Sequence, residues 1–169
     1  MLITSISGIR GTIGGEEGAG LTPQDIVRFG TGYAAWVKAA SGEANPTVVI
    51  GRDARLSGEM VRDCLVGTLN AMGVNVLDLG LSTTPTVELA VPAEGAAGGI
   101  ILTASHNPMD HNGLKLVRDE AKPISGDSGL DDIGAAALNG DLAPAATPGT
   151  MTEENVLADF VTYLVGQVD

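Results

Sequence analysis

Ser105, His106 and Asn107 stand side by side directly after an apolar run, and Pro108 closes the group. Pro108 has no backbone N–H and restricts Asn107 to extended or turn geometry, so the chain must leave the preceding element here. A hydroxyl, an imidazole and an amide are thus presented together, and Ser105 is the first candidate nucleophile. Ser and Asn-Pro are also ordinary turn residues, so the weight of this reading comes from cations elsewhere in the chain. Arg10 lies between two glycines in Ser7-Gly8-Ile9-Arg10-Gly11-Thr12, where the backbone can approach a ligand and the guanidinium offers a planar fork to phosphate or carboxylate. Arg52 and Arg55 flank Asp53 in Gly51-Arg52-Asp53-Ala54-Arg55-Leu56-Ser57, and Lys115 follows Asn112-Gly113-Leu114. An Asp between arginines reads as an ion-pair brace that orients Arg52 or Arg55.

The elements that must position these residues follow from pattern. Residues 98–103 form a short apolar run without alternation, as in a strand buried on both faces. Residues 47–50 and 75–79 read as strands, and residues 1–6 as a first strand ending in the Arg10 loop. Between them, Ile26, Phe29, Tyr33 and Trp36 recur at helical spacing after a Thr22-Pro23 start with Asp25 in the first turn. Gly30 and Gly32 within this helix suggest close contact with a strand. Ser57 reads as a cap for a helix buried through Val61, Leu65, Thr68, Leu69 and Met72, and Thr84-Pro85 as the cap and first position of the next. The order β-α-β-α-β-α-β predicts an α/β fold, a three-layer α/β/α sandwich around a mainly parallel four-stranded sheet with a short antiparallel hairpin. The loops after Ile50, Leu79 and Thr103 then share the edge where open α/β sheets bind ligands.

Asn112-Gly113 is a turn signal before a short strand at residues 114–117, which would fold Lys115 back to that edge. Leu130, Ile133, Ala137 and Leu138 mark a further helix. Residues 141–151 read as an Ala/Pro/Thr/Gly-rich linker. Beyond it Leu157, Phe160, Val161, Leu164 and Val165 make an amphipathic helix, and the expected division is a domain at residues 1–140 and a connecting segment at 141–169.

The chain has 169 residues and a net charge of -12, a balance that repels nucleic acid and anionic membrane surfaces. Four of its nine basic residues nonetheless lie in the loops assigned to the functional edge, which suits a small anionic ligand. Cys64 is the only cysteine, so no internal disulfide forms and a reducing, cytoplasmic setting is expected. Residues 1–15 lack a long apolar segment, which argues against a leader or a membrane span.

Taken together, Gly8-Ile9-Arg10-Gly11, the Gly51 to Ser57 motif, Thr84-Pro85 and Thr103-Ala104-Ser105-His106-Asn107-Pro108 with Asn112-Gly113-Leu114-Lys115 resemble domain I of the α-D-phosphohexomutases. That superfamily includes phosphoglucomutase, phosphomannomutase and phosphoglucosamine mutase. The resemblance covers residues 1 to about 140 and implies a phosphoserine enzyme interconverting hexose 1-phosphates and 6-phosphates through a bisphosphorylated sugar. It implies that Ser105 carries the phosphoryl group, that Mg²⁺ contacts the Ser105 phosphate, and that Arg10 and Lys115 stabilise the transferring group or shuttle a proton. His106 would orient Ser105 or assist proton transfer, and Asn107 would help bind phosphate. Arg52, Asp53 and Arg55 would support the site. It also implies further domains, since the family's Asp-Gly-Asp metal loop and its sugar- and phosphate-recognition loops have no counterpart here. The Ser5-Ile6-Ser7-Gly8-Ile9-Arg10-Gly11 opening leans toward phosphoglucosamine or mixed-specificity mutases.

Two other readings compete. His106, Asp110 and His111 have metal-ligand chemistry and could serve metal-assisted hydrolysis, although they lack the i, i+4 histidine pair of a helical zinc site. The chain could instead be a non-catalytic α/β module for sugar-phosphate binding or assembly.

Overall fold

The computed structural model of the protein describes residues 2–140 and 143–168. Met1 of the expected first strand, Asp141 and Leu142 of the expected linker, and Asp169 lie outside the described residues. Among the described residues the chain forms one seven-stranded sheet, ordered β1-β2-β6-β5-β3-β4-β7, and five α-helices. The strands are β1 (Ile3–Ser5), β2 (Gly8–Thr12), β3 (Thr47–Arg52), β4 (Asn75–Leu81), β5 (Gly98–Leu102), β6 (His111–Arg118) and β7 (Met151–Glu153). The helices are α1 (Pro23–Ser41), α2 (Gly58–Ala71), α3 (Thr84–Ala93), α4 (Leu130–Asn139) and α5 (Leu157–Val165). None of these helices is long and apolar enough to cross a membrane.

The three-layer class is as the sequence predicts, and β5, β3, β4 and β7 form a parallel group of four. Both sheet faces are covered. Val48, Ile50, Ile100, Leu102, Leu114 and Leu116 pack in one core with α1, α2 and α4, while Val49, Ile101 and Val117 pack in the other with Val87 and Val91 of α3. Side chains alternate across a strand, so the apolar runs of β3 and β5 feed both cores. α1 starts with a capping box, in which the Asp25 amide donates to Thr22 Oγ1 and the Thr22 amide donates to Asp25 Oδ2. It ends at Gly42, in the left-handed conformation common at helix C-termini.

Several expectations need correction. The Arg10 segment is not a loop: residues 6–7 turn the chain and Gly8–Thr12 forms β2, antiparallel to β1 and β6. The first strand is therefore half of an antiparallel hairpin rather than a member of the parallel group. Asn112-Gly113 is not a turn but lies inside β6, because buried Asn112 donates to Ser57 Oγ and Asn112 and Gly113 pair with Gly11 and Arg10 of β2. Ser57 stands at the N-cap position of α2 as expected but makes no side-chain capping bond, its hydroxyl accepting from Asn112 instead. Gly30 and Gly32 face helices, not a strand: a Cβ on Gly30 would meet Leu65 and Thr68 of α2, and one on Gly32 would meet the backbone of α4. Leu138 is exposed while Leu130, Ile133 and Ala137 are buried. Strand β7 begins at the last residue of the stretch read as a linker, held by the Gly149 amide on Asn70 O and the Thr150 amide on Asn75 Oδ1. Helix α5 forms as expected, yet Leu157, Val161, Leu164 and Val165 of its stripe remain exposed.

Candidate functional site

Two strand registers aim the cations. Ile9 pairs with Leu114, and both enter the core under α1, α2 and α4. Their neighbours therefore point the other way, so Arg10 and Lys115 emerge on the face covered by α3, as Val117 does. Gly113 pairs with Arg10, and its lack of a side chain leaves the space that the Arg10 stem fills. Tertiary close approach, rather than turn geometry, explains this glycine.

Topology aims the serine. α2 leads the chain from β3 to β4, α3 returns it across β3 to β5, and β6 then follows on the far side of β5. Loops after β3 and β5 leave in opposite directions and open a crevice at their carboxyl ends. Asp53 and Thr103 meet there. The Thr103 hydroxyl donates to Asp53 Oδ2 at 2.7 Å and accepts from the Ser105 amide at 2.9 Å. Asp53 also accepts from the Arg55 amide and from Arg55 Nε. The Arg55 guanidinium then spans the loop, donating to the carbonyls of Pro108 at 2.6 Å, His111 at 2.8 Å, and Ser105 and Asn107 at 2.9 Å each. Within that frame Ser105 takes a left-handed backbone with φ of 55°, a conformation that costs an L residue roughly 1–2 kcal/mol. Such strain persists only where surrounding contacts over-determine it.

Ser105, Arg10 and Lys115 line one cavity of about 310 Å³ together with Ile6, Ser7, Thr84, Thr103 and Pro123. Arg10 Nε is buried and has no hydrogen-bond partner among the described residues, which costs about 1–3 kcal/mol. Lys115 Nζ donates to Glu88 Oε1 of α3 at 2.6 Å. Two of the larger grooves hold no serine. One, about 550 Å³ between α3 and α5, is lined by Leu89, Ala90, Phe160 and Tyr163. In the other, about 590 Å³, the arginines are already engaged: Arg52 with Glu59, and Arg62 with Asp63, Asp78 and Glu153.

The sequence-derived residues thus divide. Arg10, Ser105 and Lys115 converge, Asp53 and Arg55 hold the loop, and Arg52 turns to the neighbouring groove. His106 is exposed beside Ser105, outside the cavity lining, and Asn107 borders a shallow depression with Asp53, Arg55, Leu56 and Met109 on the other side of the loop. His111 Nδ1 lies 2.8 Å from Asp110 Oδ1, and this hydrogen bond holds the exposed Asp110 carboxyl below the usual carboxylate range. His106, Asp110 and His111 do not gather as a metal site, and among the described residues no set of three His, Cys, Asp or Glu side chains does. Sequence reasoning missed Thr84, Thr103 and Glu88. Local pattern puts Thr84 at the cap, but Thr83 accepts the Thr86 amide in that role and frees Thr84 for the cavity.

This geometry defines an α/β/α domain that presents a hydroxyl and two cations at the carboxyl edge of its parallel strands. Residues 2–142 match the family described as phosphoglucomutase/phosphomannomutase, alpha/beta/alpha domain I, and the chain belongs to that family. It is 38% identical over 160 residues to a phosphomannomutase of Vibrio cholerae, covering 95% of this chain and 34% of the relative. A phosphoglucosamine mutase of Levilactobacillus brevis is 39% identical, covering 93% of this chain and 35% of the relative. A phosphoglucomutase/phosphomannomutase family protein of Burkholderia thailandensis has a similar structure, with a TM-score of 0.80 at 28% identity over 100% of this chain and 37% of that one. The chain spans about a third of the length of these relatives.

Proposed function

We propose that this chain is the serine-bearing domain of a phosphohexomutase, which interconverts hexose 1-phosphate and hexose 6-phosphate through phosphoserine at Ser105 and a bisphosphorylated sugar. The observation that carries the reading is the shared cavity of Ser105, Arg10 and Lys115. Phosphoryl transfer asks for positioning and charge stabilisation more than for covalent chemistry by the protein. In the forward step the bond from phosphorus to Ser105 Oγ breaks as a sugar hydroxyl oxygen bonds to phosphorus, its proton passing by way of His106, Arg10 or Lys115 to the departing Ser105 Oγ, and the second step reverses this with the other phosphate. Arg10 and Lys115 neutralise the moving group. His106 orients the serine or assists the proton, Asn107 contributes to phosphate binding, and the Asp53–Thr103–Arg55 frame keeps Ser105 in its strained conformation.

The family resemblance brings Mg²⁺, and this chain's residues do not make a cage for it. Mg²⁺ takes about six oxygen ligands in octahedral geometry, whereas Ser105, through its phosphate, is the single ligand assigned here and no acidic cluster stands ready among the described residues. A Mg²⁺ at that phosphate would draw its other ligands from beyond this chain.

The relatives' added length and the exposed stripe of α5 support α5 as the connection to the remaining domains of a longer mutase. Names of the relatives make mannose phosphate the first substrate to test, with glucosamine phosphate next. The lone Cys64 fits a cytoplasmic enzyme.

Intact-protein mass spectrometry of the full-length protein after incubation with a hexose 1,6-bisphosphate tests the assignment, since this domain alone is expected to be inactive. One phosphoryl group should appear on Ser105 and be absent from Ser105→Ala. Full-length active enzyme that never carries phosphate on Ser105, or a Ser105→Ala variant with undiminished turnover, would refute it.

A further inference from the structure

The ion pair between Lys115 and Glu88 is not explained by the site as described. Glu88 stands one helical turn after Thr84 on α3, so the two residues share the helix side that borders the cavity. Its carboxylate takes the Lys115 ammonium at 2.6 Å, with both side chains partly shielded, at 30% and 22% exposure. An acidic group placed here has two opposing effects on a phosphate site. It fixes a flexible lysine in one position beside Ser105, and it competes with any phosphate for that lysine while repelling the phosphate directly. Among the described residues, the Arg10 guanidinium on the same cavity has no such rival at its Nε.

We propose that Glu88 is a positioning residue that parks the Lys115 ammonium at the cavity rim until a phosphoryl group displaces the carboxylate and takes the ammonium over. This rests on the cavity being a phosphate site, as argued above. Charge-assisted hydrogen bonds are roughly twice as strong as neutral ones, so the exchange replaces one strong partner with another and phosphate affinity is set by the difference. Arg10 supplies the attraction that is always available, and Lys115 joins only when phosphate arrives. The empty site then keeps its lysine ordered instead of leaving it to sample solvent.

The chain contains three lysines, Lys38, Lys115 and Lys122, so side-chain ammonium signals in ¹⁵N NMR can be assigned by single Lys→Arg variants. Inorganic phosphate is titrated into the protein while the Lys115 ammonium and the Ser105 and Thr103 amides are followed. In the wild type the Lys115 signal should move together with the Ser105 amide as phosphate binds. In Glu88→Gln, which keeps shape and removes the charge, the Lys115 signal should start away from its wild-type position, and phosphate should bind about 3- to 10-fold tighter. Equal or weaker phosphate binding in Glu88→Gln, with the wild-type Ser105 amide still responding, overturns the role of Glu88 and leaves the phosphate site intact. A Ser105 amide that responds while the wild-type Lys115 signal stays still also overturns the exchange. No response at either Ser105 or Lys115 in the wild type overturns the phosphate site and the exchange together.

Discussion

The guanidinium of Arg55 donates to the carbonyl of Ser105 at 2.9 Å, joining the loop after β3 to the Ser105 loop after β5. Three more carbonyls, those of Asn107, Pro108 and His111, converge on the same planar fork. One side chain therefore sets the path of the segment from Ser105 to His111, and the Asp53 carboxylate sets that side chain.

Arg55→Lys keeps the charge and loses the fork, since an ammonium is a compact point donor that cannot span four carbonyls. Hydrogen bonds to charged groups contribute about 1.5–3 kcal/mol each, and part of this set survives in lysine, so the net loss should be about 2 kcal/mol. Thermal melting should fall by roughly 4–8 °C for a domain of this size. Amide hydrogen exchange should quicken first at residues 105–111. A variant with wild-type melting and unchanged exchange at this loop would mean that the loop holds itself.

What could be read from the sequence was what local pattern encodes. The buried runs of β3 and β5, the Thr22-Pro23 start of α1 and the gathering of the βα loops on one edge all follow from short stretches read alone. The misreadings share a cause, which is that the deciding partner lies far along the chain. Gly113 looks like a turn residue because its use, the close approach of β6 to Ile9 and Arg10 of β2, exists only once the sheet has formed. β7 carries three exposed residues and no apolar signature, so nothing in its own composition marks it as an edge strand. Glu88 reads as a solvated helix residue until β6 brings Lys115 to it from 27 positions away.

Tyr33 supplies a pH-dependent test of the central packing. Its ring is fully buried under the sheet, and its hydroxyl donates to Val117 O at 2.9 Å. Burial pushes this phenol above its usual range. The folded protein thus holds the proton more tightly than the unfolded chain, where the phenol titrates near pH 10. The contribution is complete below that pH and is lost as pH rises beyond it. Urea midpoints measured from about pH 8 to about pH 11 should fall more steeply for wild type than for Tyr33→Phe above pH 10, and at neutral pH the variant should be less stable by about 1 kcal/mol. Parallel curves across that range would show that Tyr33 does not couple to folding.

Gly113→Ala and Gly67→Ala should move in opposite directions. A Cβ on Gly113 would lie 2.6 Å from Arg10 Cγ, 2.7 Å from Ile9 O and 2.9 Å from Thr103 O, and two of those three atoms are backbone. Overpacking of this kind costs typically about 1–3 kcal/mol, and the movable neighbour is the Arg10 stem, so phosphate binding should weaken as well. Gly67 lies inside α2, and a Cβ there would meet nothing within 4 Å, so alanine should stabilise by about 0.5–1 kcal/mol. Chemical denaturation of both variants decides the matter, and a neutral Gly113→Ala would remove the close approach that aims Arg10.

Ser105→Gly and Ser105→Ala separate the two things Ser105 does. The left-handed φ of 55° is strained for serine and equally for alanine, whereas glycine adopts it freely. Ser105→Gly should therefore be more stable than Ser105→Ala by about 1 kcal/mol, even though glycine raises the entropy of the unfolded chain. Both variants lack the hydroxyl, so both should fail to take up a phosphoryl group from a hexose 1,6-bisphosphate, as read by intact mass. A loss of phosphorylation common to two proteins of different stability cannot come from unfolding, and must come from the missing oxygen. If the two variants melted together, the strain would lie elsewhere in the loop, and if Ser105→Gly were still phosphorylated, another hydroxyl at the cavity, Ser7, Thr84 or Thr103, would be the acceptor.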